Sequence, residues 1–274
     1  MSKIPENRDE RIEWLKKPEN RAPLARRGAG SIYWRGDLSD PDNIEIIVST
    51  RSGNVGAGLA HFGGLGEDED FVPGDDLKTG IRNALREGQE EMEELLGYQP
   101  DLKEDRYAFL YAAKDDKFLI NNGKGFAVDA RLHAYETEPE LWEALFPAGA
   151  KISHRDESHN GYQETDKAEV LTFKEALTRQ ADYHYPHEYF ALWVMAAKEM
   201  KADLDALAEE ASAKMRGARV DFTRLAEDMF ISVAELETHL GDRFQGVLQK
   251  YEARHQQEAG AAQPRTPQGR KRGL

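Results

Sequence analysis

The stretch Arg86-Glu87-Gly88-Gln89-Glu90-Glu91 constrains this chain more than any other. Glu87, Glu90 and Glu91 stand at i, i+3 and i+4, so a helix through them projects all three carboxylates from one face. Crowded carboxylates repel one another unless a cation lies between them. An oxygen-only, highly charged donor set suits a hard divalent ion, Mg²⁺ or Mn²⁺. The same spacing also describes a solvated acidic helix face, because Glu-rich helices are common. The order of the surrounding elements separates the two readings.

Two strand-like runs, residues 30–34 and 44–50, flank turn chemistry at 37–43. Residues 53–58 read as a loop that leads into Leu59-Ala60-His61-Phe62 and the pair Gly63-Gly64. The carboxylate helix then runs from about Asp75 or Asp76, whose charge suits a helix N-terminus, to Leu96. Gly80 and Gly88 inside it cost roughly 1 kcal/mol each relative to Ala, a cost justified where a backbone must approach a sheet closely. Strand patterns follow at 107–112, 118–120 and 125–135, then a short helix at 138–146 stopped by Pro147. A polar loop without apolar rhythm spans 149–166 and precedes a strand at 168–173. The capping box Thr172-Phe173-Lys174-Glu175 opens the next helix.

In this setting Ala84-x-Arg86-Glu87-x-x-Glu90-Glu91, preceded by Phe62-Gly63-Gly64, resembles the Nudix box. That box reads Gly-x5-Glu-x7-Arg-Glu-aliphatic-x-Glu-Glu-x-Gly-aliphatic. Counting back from Arg86 places its first Glu on Lys78 and its Gly on Val72, so the register to Gly64 needs an insertion of about eight residues around Glu67-Asp68-Glu69-Asp70. Gly88 occupies the aliphatic position and Glu93 the closing Gly, with Gly97-Tyr98 about one turn late. Asp75 or Asp76 is the candidate for the missing first Glu. The acid loop, strand and capped helix after residue 149 are similar to the later part of Nudix domains. The resemblance implies an α/β/α sandwich with a mixed sheet over about residues 28–200, and metal-dependent hydrolysis of a diphosphate linkage in a nucleotide-type substrate. It implies Glu87, Glu90 and Glu91 as metal ligands, Gly63 and Gly64 as bringing a backbone carbonyl close to the metal, and Arg86 as a brace between helix and loop. A loop carboxylate, Glu164 or Glu157, would be a further ligand or the general base, Glu164 lying closer to the strand that positions it. ADP-ribose, dinucleoside polyphosphates, nucleotide sugars, deoxynucleotides and capped RNA all remain open as substrates.

The rest of the chain bounds this reading. Residues 1–27 form a short helix and a basic arm, 201–258 a helical extension, and 259–274 a basic tail whose Pro, Gly and Gln content predicts disorder. The extension carries a helix-turn-helix outline at 221–241 followed by a helix at 242–257. Its second helix offers Glu235, Glu237 and His239 where phosphate contacts want Lys or Arg, so a packing or dimerisation module is expected rather than a specific DNA reader. A nucleotide-sensing regulator of Nudix descent is the alternative, and a structural Nudix-like domain a third. His184-Tyr185-Pro186-His187 offers no third zinc ligand at a recognised spacing, and Pro186 reads as a helix start. With no cysteine, no signal-peptide pattern and no apolar run of membrane-spanning length, a cytoplasmic protein without a membrane partner is expected. A net charge of −14 means that an anionic substrate must be received by metal and local Arg or Lys.

Overall fold

The structure, a computed structural model, describes residues 5–15, 17, 20, 26–51, 58–112, 119–121, 126–157, 164–215, 217–229, 231–241 and 244. The expected loop at 53–58, apart from Gly58, the expected helix at 242–257, apart from Phe244, and the basic tail lie outside them, as do residues 158–163 of the polar loop. No helix among the described residues is long and apolar enough to cross a membrane.

After α1 (Arg8–Leu15), a mixed nine-stranded sheet organises the molecule. Its strands are β1 (Arg26–Arg35), β2 (Glu45–Arg51), β3 (Gly58–Ala60), β4 (Phe62–Leu65), β5 (Tyr107–Ala112), β6 (Leu119–Asn121), β7 (Phe126–Glu136), β8 (Ile152–His154) and β9 (Thr165–Thr172). The main order is β5-β7-β1-β2-β9-β8, with β1 and β7 parallel and the other pairs antiparallel. β1 pairs with β4 through Gly28–Ser31 and with β2 through Tyr33–Arg35. The short β3–β4 segment is therefore wedged where β1 leaves β2, and it carries Gly63 and Gly64.

Alternation along the strands sends side chains to two faces. Ile32, Trp34, Ile46, Val48, Leu132 and Ala134 enter one core; Tyr33, Ile47, Tyr135 and Ala168 enter the other. On the second face lie α2 (Asp76–Leu96), through Ala84, Met92 and Leu95, and α3 (Pro139–Leu145). On the first lies α5 (Pro186–Lys198), entered by way of α4 (Phe173–Leu177). Pro186 does open α5, which carries Tyr189, Phe190, Trp193 and Val194 into the core. The Thr172–Glu175 capping box is formed reciprocally.

The polar loop is not structureless throughout, because Ile152–His154 pairs with β9 as β8. Burial on both faces of a strand needs an apolar run, but an edge strand needs only backbone partners, so exposed Ile152 and His154 gave no alternation to read. The C-terminal helices α6 (Leu204–Lys214), α7 (Phe222–Met229) and α8 (Val233–Leu240) share the first core with the sheet. Trp193 of α5 meets Phe222 edge to face with ring centres 4.9 Å apart, and Phe222 meets Phe244 at 4.7 Å. His239 packs against Tyr111 of β5 with ring centres 4.5 Å apart, so it faces the domain.

Candidate metal and hydrolase site

α2 is fixed at both ends by local chemistry. Asp75 is its N-cap, accepting from the Lys78 N–H at 2.9 Å, and Gly97 closes it in the left-handed conformation at φ 72°. Its glycines are required by close approach. A Cβ on Gly88 would lie 2.0 Å from the Tyr33 hydroxyl, and one on Gly80 would lie 2.8 Å from Arg131 Cδ. The helix thus lies low on the sheet and brings its carboxylates against β4.

There Glu91 Oε2 accepts the Gly63 N–H at 3.0 Å, so Gly63 meets the helix through its amide. The Glu87 carboxylate lies beneath Gly64. Gly63 itself presses on β1, where a Cβ would come within 2.4 Å of Ala29 O and Gly30 Cα. Arg86 bridges helix and loop, donating to Leu65 O at 2.9 Å and to Asp70 Oδ2 at 3.1 Å. It also pairs with Glu87 at 2.8 Å and with Glu90 at 2.9 Å. Burial alone would lower the pKa of Arg86, but Asp70, Glu87 and Glu90 raise it above the usual arginine value.

Of the acids between Gly64 and the start of α2, Asp70 pairs with Arg86, whereas Asp75 and Asp76 have other partners. Asp75 is spent on the cap, and Asp76 faces Arg131 at 3.5 Å and Arg27 at 3.9 Å. Asp70 Oδ2 accepts the Glu67 N–H at 2.9 Å and Asn83 Nδ2 at 3.1 Å.

On the inner side of α2, Glu91 is buried beside Arg51 of β2, with Nη2 3.7 Å from Oε1. Burial pushes the Glu91 carboxyl up to about 8 despite Arg51, and Glu87 adds repulsion. Burial likewise raises the Glu87 carboxyl, against the pull of Arg86. Arg51 also forms an ion pair with Glu164, so β2 and the end of the polar loop meet at the carboxylate helix. Glu157 is exposed and not part of this meeting. Glu90, half exposed, turns to Arg86 instead.

Two further carboxylates escaped the sequence reading. Glu94 accepts the N–H groups of Glu164 at 3.0 Å and of Thr165 at 2.8 Å, holding the loop end against α2. It lies one turn beyond Glu91 on the same helix face, a spacing that flags it. Glu188 of α5 is buried, accepts the His61 N–H at 3.2 Å and is driven to about 8 by burial, with Arg51 opposing. In sequence it reads only as a first-turn acid. It arrives because the segment before α5 docks on β3, where Leu59 bridges Tyr183 and accepts the His184 N–H at 2.9 Å.

The donor set is oxygen-only. Glu91 Oε1 is buried without a hydrogen-bond partner among the described residues, an atom that a hard cation would satisfy. Among the described residues no three acids or histidines already form a ligand group, since Glu87 and Glu90 reach to Arg86 and Glu91 to Arg51. Glu90 is 53% exposed, and an exposed ion pair is worth only about 0–1 kcal/mol, so turning it toward the others costs little. The residues fit a divalent cation.

No protein-family model matches the chain, and no curated protein matches it. Among solved structures it is similar to a NUDIX hydrolase from Alicyclobacillus acidocaldarius, with 16% identity and a TM-score of 0.40 over 61% of this chain and 89% of that one. It is also similar to a NUDIX hydrolase from Nitrosomonas europaea, with 10% identity and a TM-score of 0.39 over 64% and 90%. An Ap4A hydrolase from C. elegans follows, with 16% identity and a TM-score of 0.31 over 64% and 98%. The chain is an α/β/α sandwich, a mixed sheet between two helical layers with a carboxylate helix laid across a Gly-Gly strand, extended by C-terminal helices.

Proposed function

We propose that the protein is a metal-dependent hydrolase of a diphosphate linkage in a nucleoside diphosphate joined to another group. The observation that carries this reading is the pair of desolvated carboxylates, Glu87 and Glu91, gathered under Gly63-Gly64 and braced by Arg86. Glu87, Glu90 and Glu91 would hold Mg²⁺ or Mn²⁺. A divalent ion there supplies charge neutralisation at phosphate oxygens and lowers the pKa of an attacking water.

The chain's own residues do the positioning. Arg86 ties the helix to Leu65 and Asp70 and fixes the Glu87 carboxylate. Arg51 offsets the repulsion among Glu91, Glu164 and Glu188 in a poorly hydrated space. Glu164 is the candidate to take the proton from water; its backbone is clamped by Glu94 and its side chain is aimed by Arg51. The setting in the cell is taken as cytoplasmic.

A regulator that reads DNA through α7 and α8 is disfavoured, because α8 spends His239 on Tyr111 and presents Glu235 and Glu237. The deciding experiment is a hydrolysis screen with Mg²⁺ or Mn²⁺ across ADP-ribose, dinucleoside polyphosphates, nucleotide sugars, deoxynucleotides and capped RNA. Turnover of one class, abolished by EDTA and by Glu91→Gln, supports the reading; no turnover of any class, with sequence-selective DNA capture, replaces it.

A further inference from the structure

Between α4 and α5 the chain is irregular apart from a short 3₁₀ turn, Gln180–Asp182. An irregular segment has no regular hydrogen-bond ladder of its own and takes its position from what it touches. Here those contacts lie along β3 and at the start of α7.

Along β3 the fit is close. A Cβ on Gly58, whose φ is 148°, would lie 2.9 Å from Asp182 O and 3.0 Å from His184 Cβ, so glycine is what admits the segment there. Tyr183 then bridges Leu59, and the His184 N–H donates to Leu59 O at 2.9 Å. Glu188, in the first turn of α5, accepts the His61 N–H at 3.2 Å. Contacts at Gly58, Leu59 and His61 carry the segment along the strand toward Gly63. They bring Tyr185 and Glu188 beside Arg51, the β2 residue paired with Gly58. The Tyr185 ring centre is 5.8 Å from the Arg51 guanidinium carbon, and the charge of Glu188 favours the charged guanidinium.

At its other end the segment is clamped to the residue that starts α7. Gln180 Nε2 donates to Asp221 O at 3.0 Å, and Gln180 Oε1 accepts the Asp221 N–H at 3.0 Å. Both halves of one amide thus grip the backbone of one residue. Asp221 is itself fixed: its Oδ1 accepts the Arg224 N–H at 2.9 Å, and its carbonyl accepts the Leu225 N–H at 3.0 Å. Phe222, Leu225 and Met229 seat α7 in the core. The neighbouring tie of Arg179 to Glu169, at 3.0 Å, is a partly exposed ion pair of little worth. The amide clamp therefore sets the position of the segment.

We propose that Gln180 is a positioning residue: through it the C-terminal helices set where Glu188 and Tyr185 stand beside Arg51. Its consequence for turnover rests on the hydrolase reading, in which Arg51 aims Glu164. The placement itself is measurable without turnover.

The test is hydrogen exchange by NMR on the full chain in EDTA, beside steady-state kinetics with Mg²⁺ on the diphosphate class turned over in the hydrolysis screen. Gln180→Met keeps the length of the side chain and removes both hydrogen bonds. The amides of Asp221, His184 and His61 are expected to exchange about tenfold faster, the scale of one lost hydrogen bond, with those of β7 unchanged. kcat is expected to fall by about tenfold or more at constant KM, because the effect passes through Arg51 to Glu164. Gln180→Glu still accepts the Asp221 N–H and should lie between Gln180→Met and the parent in both readouts. Asp203→Ala removes the cap of α6, which the Ala206 N–H donates to at 3.1 Å. It weakens the same extension without touching the clamp, so it should lower the melting temperature yet leave His61 exchange and kcat at parent values. Faster exchange at Asp221 alone, an unchanged kcat in Gln180→Met, or equal effects from Asp203→Ala would each overturn the proposal. If the parent hydrolyses no diphosphate while His61 exchange follows Gln180, the hydrolase reading falls and the placement stands. If hydrolysis proceeds and Gln180→Met leaves His61 exchange unchanged, this proposal falls alone.

Discussion

The carboxylate of Glu87 fills the space that a side chain at Gly64 would need: a Cβ there would lie 2.1 Å from Glu87 Oε2. The obstructing atom is the end of a flexible side chain, so the fold accommodates the change while the carboxylate moves. Gly64→Ala is expected to cost less than about 1 kcal/mol of stability yet to lower kcat about 100-fold, the scale of a misplacement near 1 Å. Melting curves beside steady-state kinetics check this; equal losses in both would mean that Gly64 serves only the strand.

Glu90 and Glu91 share the proposed role but not the environment. Glu90→Gln removes one exposed ion pair and should change stability by less than about 1 kcal/mol. Glu91→Gln removes a carboxylate that burial already disfavours in its charged form, so stability without metal should hold or rise. Both should lower kcat by orders of magnitude at saturating Mg²⁺. Unchanged turnover in Glu90→Gln would remove that residue from the ligand set.

Glu94 acts on the loop rather than on substrate. Its carboxylate receives the N–H groups of Glu164 and Thr165, and Glu94→Ala leaves them unsatisfied at a cost of about 1–3 kcal/mol. If Glu164 is the base, Glu164→Gln should depress kcat most near neutral pH with KM nearly constant, and Glu94→Ala should reproduce part of that profile. A Glu157→Gln variant that shows the same profile, with Glu164→Gln silent, would move the role to Glu157.

Burial raises Glu188 to about 8, above the ordinary carboxyl value near 4.3, so between those pH values the folded state holds more protons than the unfolded one. The stability from protonated Glu188 is therefore present in mild acid and is lost as pH rises toward 8, by up to about 1.4 kcal/mol per unit. Glu188→Gln cannot ionise. Its melting temperature relative to the parent should accordingly climb from pH 5 to pH 8 in EDTA, and a constant difference would show that Glu188 does not titrate there.

The edge-to-face contact of Trp193 with Phe222 joins α5 to the C-terminal helices. Phe222→Ala empties a fully buried ring site and is expected to cost about 3–5 kcal/mol, read by urea unfolding of the full chain. A loss below about 1 kcal/mol, as for a surface residue, would show that α7 is not part of the core.

What the sequence determined by itself was local. The reach of α2 from its Asp75 cap to Gly97, the shared face of Glu87 and Glu91, the capped helix after Thr172 and the start of α5 at Pro186 all follow from spacing, capping and fixed backbone angles. Tertiary structure decided the partners. Asp70 reaches Arg86 only because the loop before α2 folds back along the helix, and Glu188 reaches the Arg51 side only because the segment before α5 docks on β3. The C-terminal helices, legible as helices, become part of the main core through Phe222, Leu236 and Leu240. Those outcomes depend on which apolar faces meet across long sequence separations, and a hydrophobic stripe states that a face will be buried without naming what covers it.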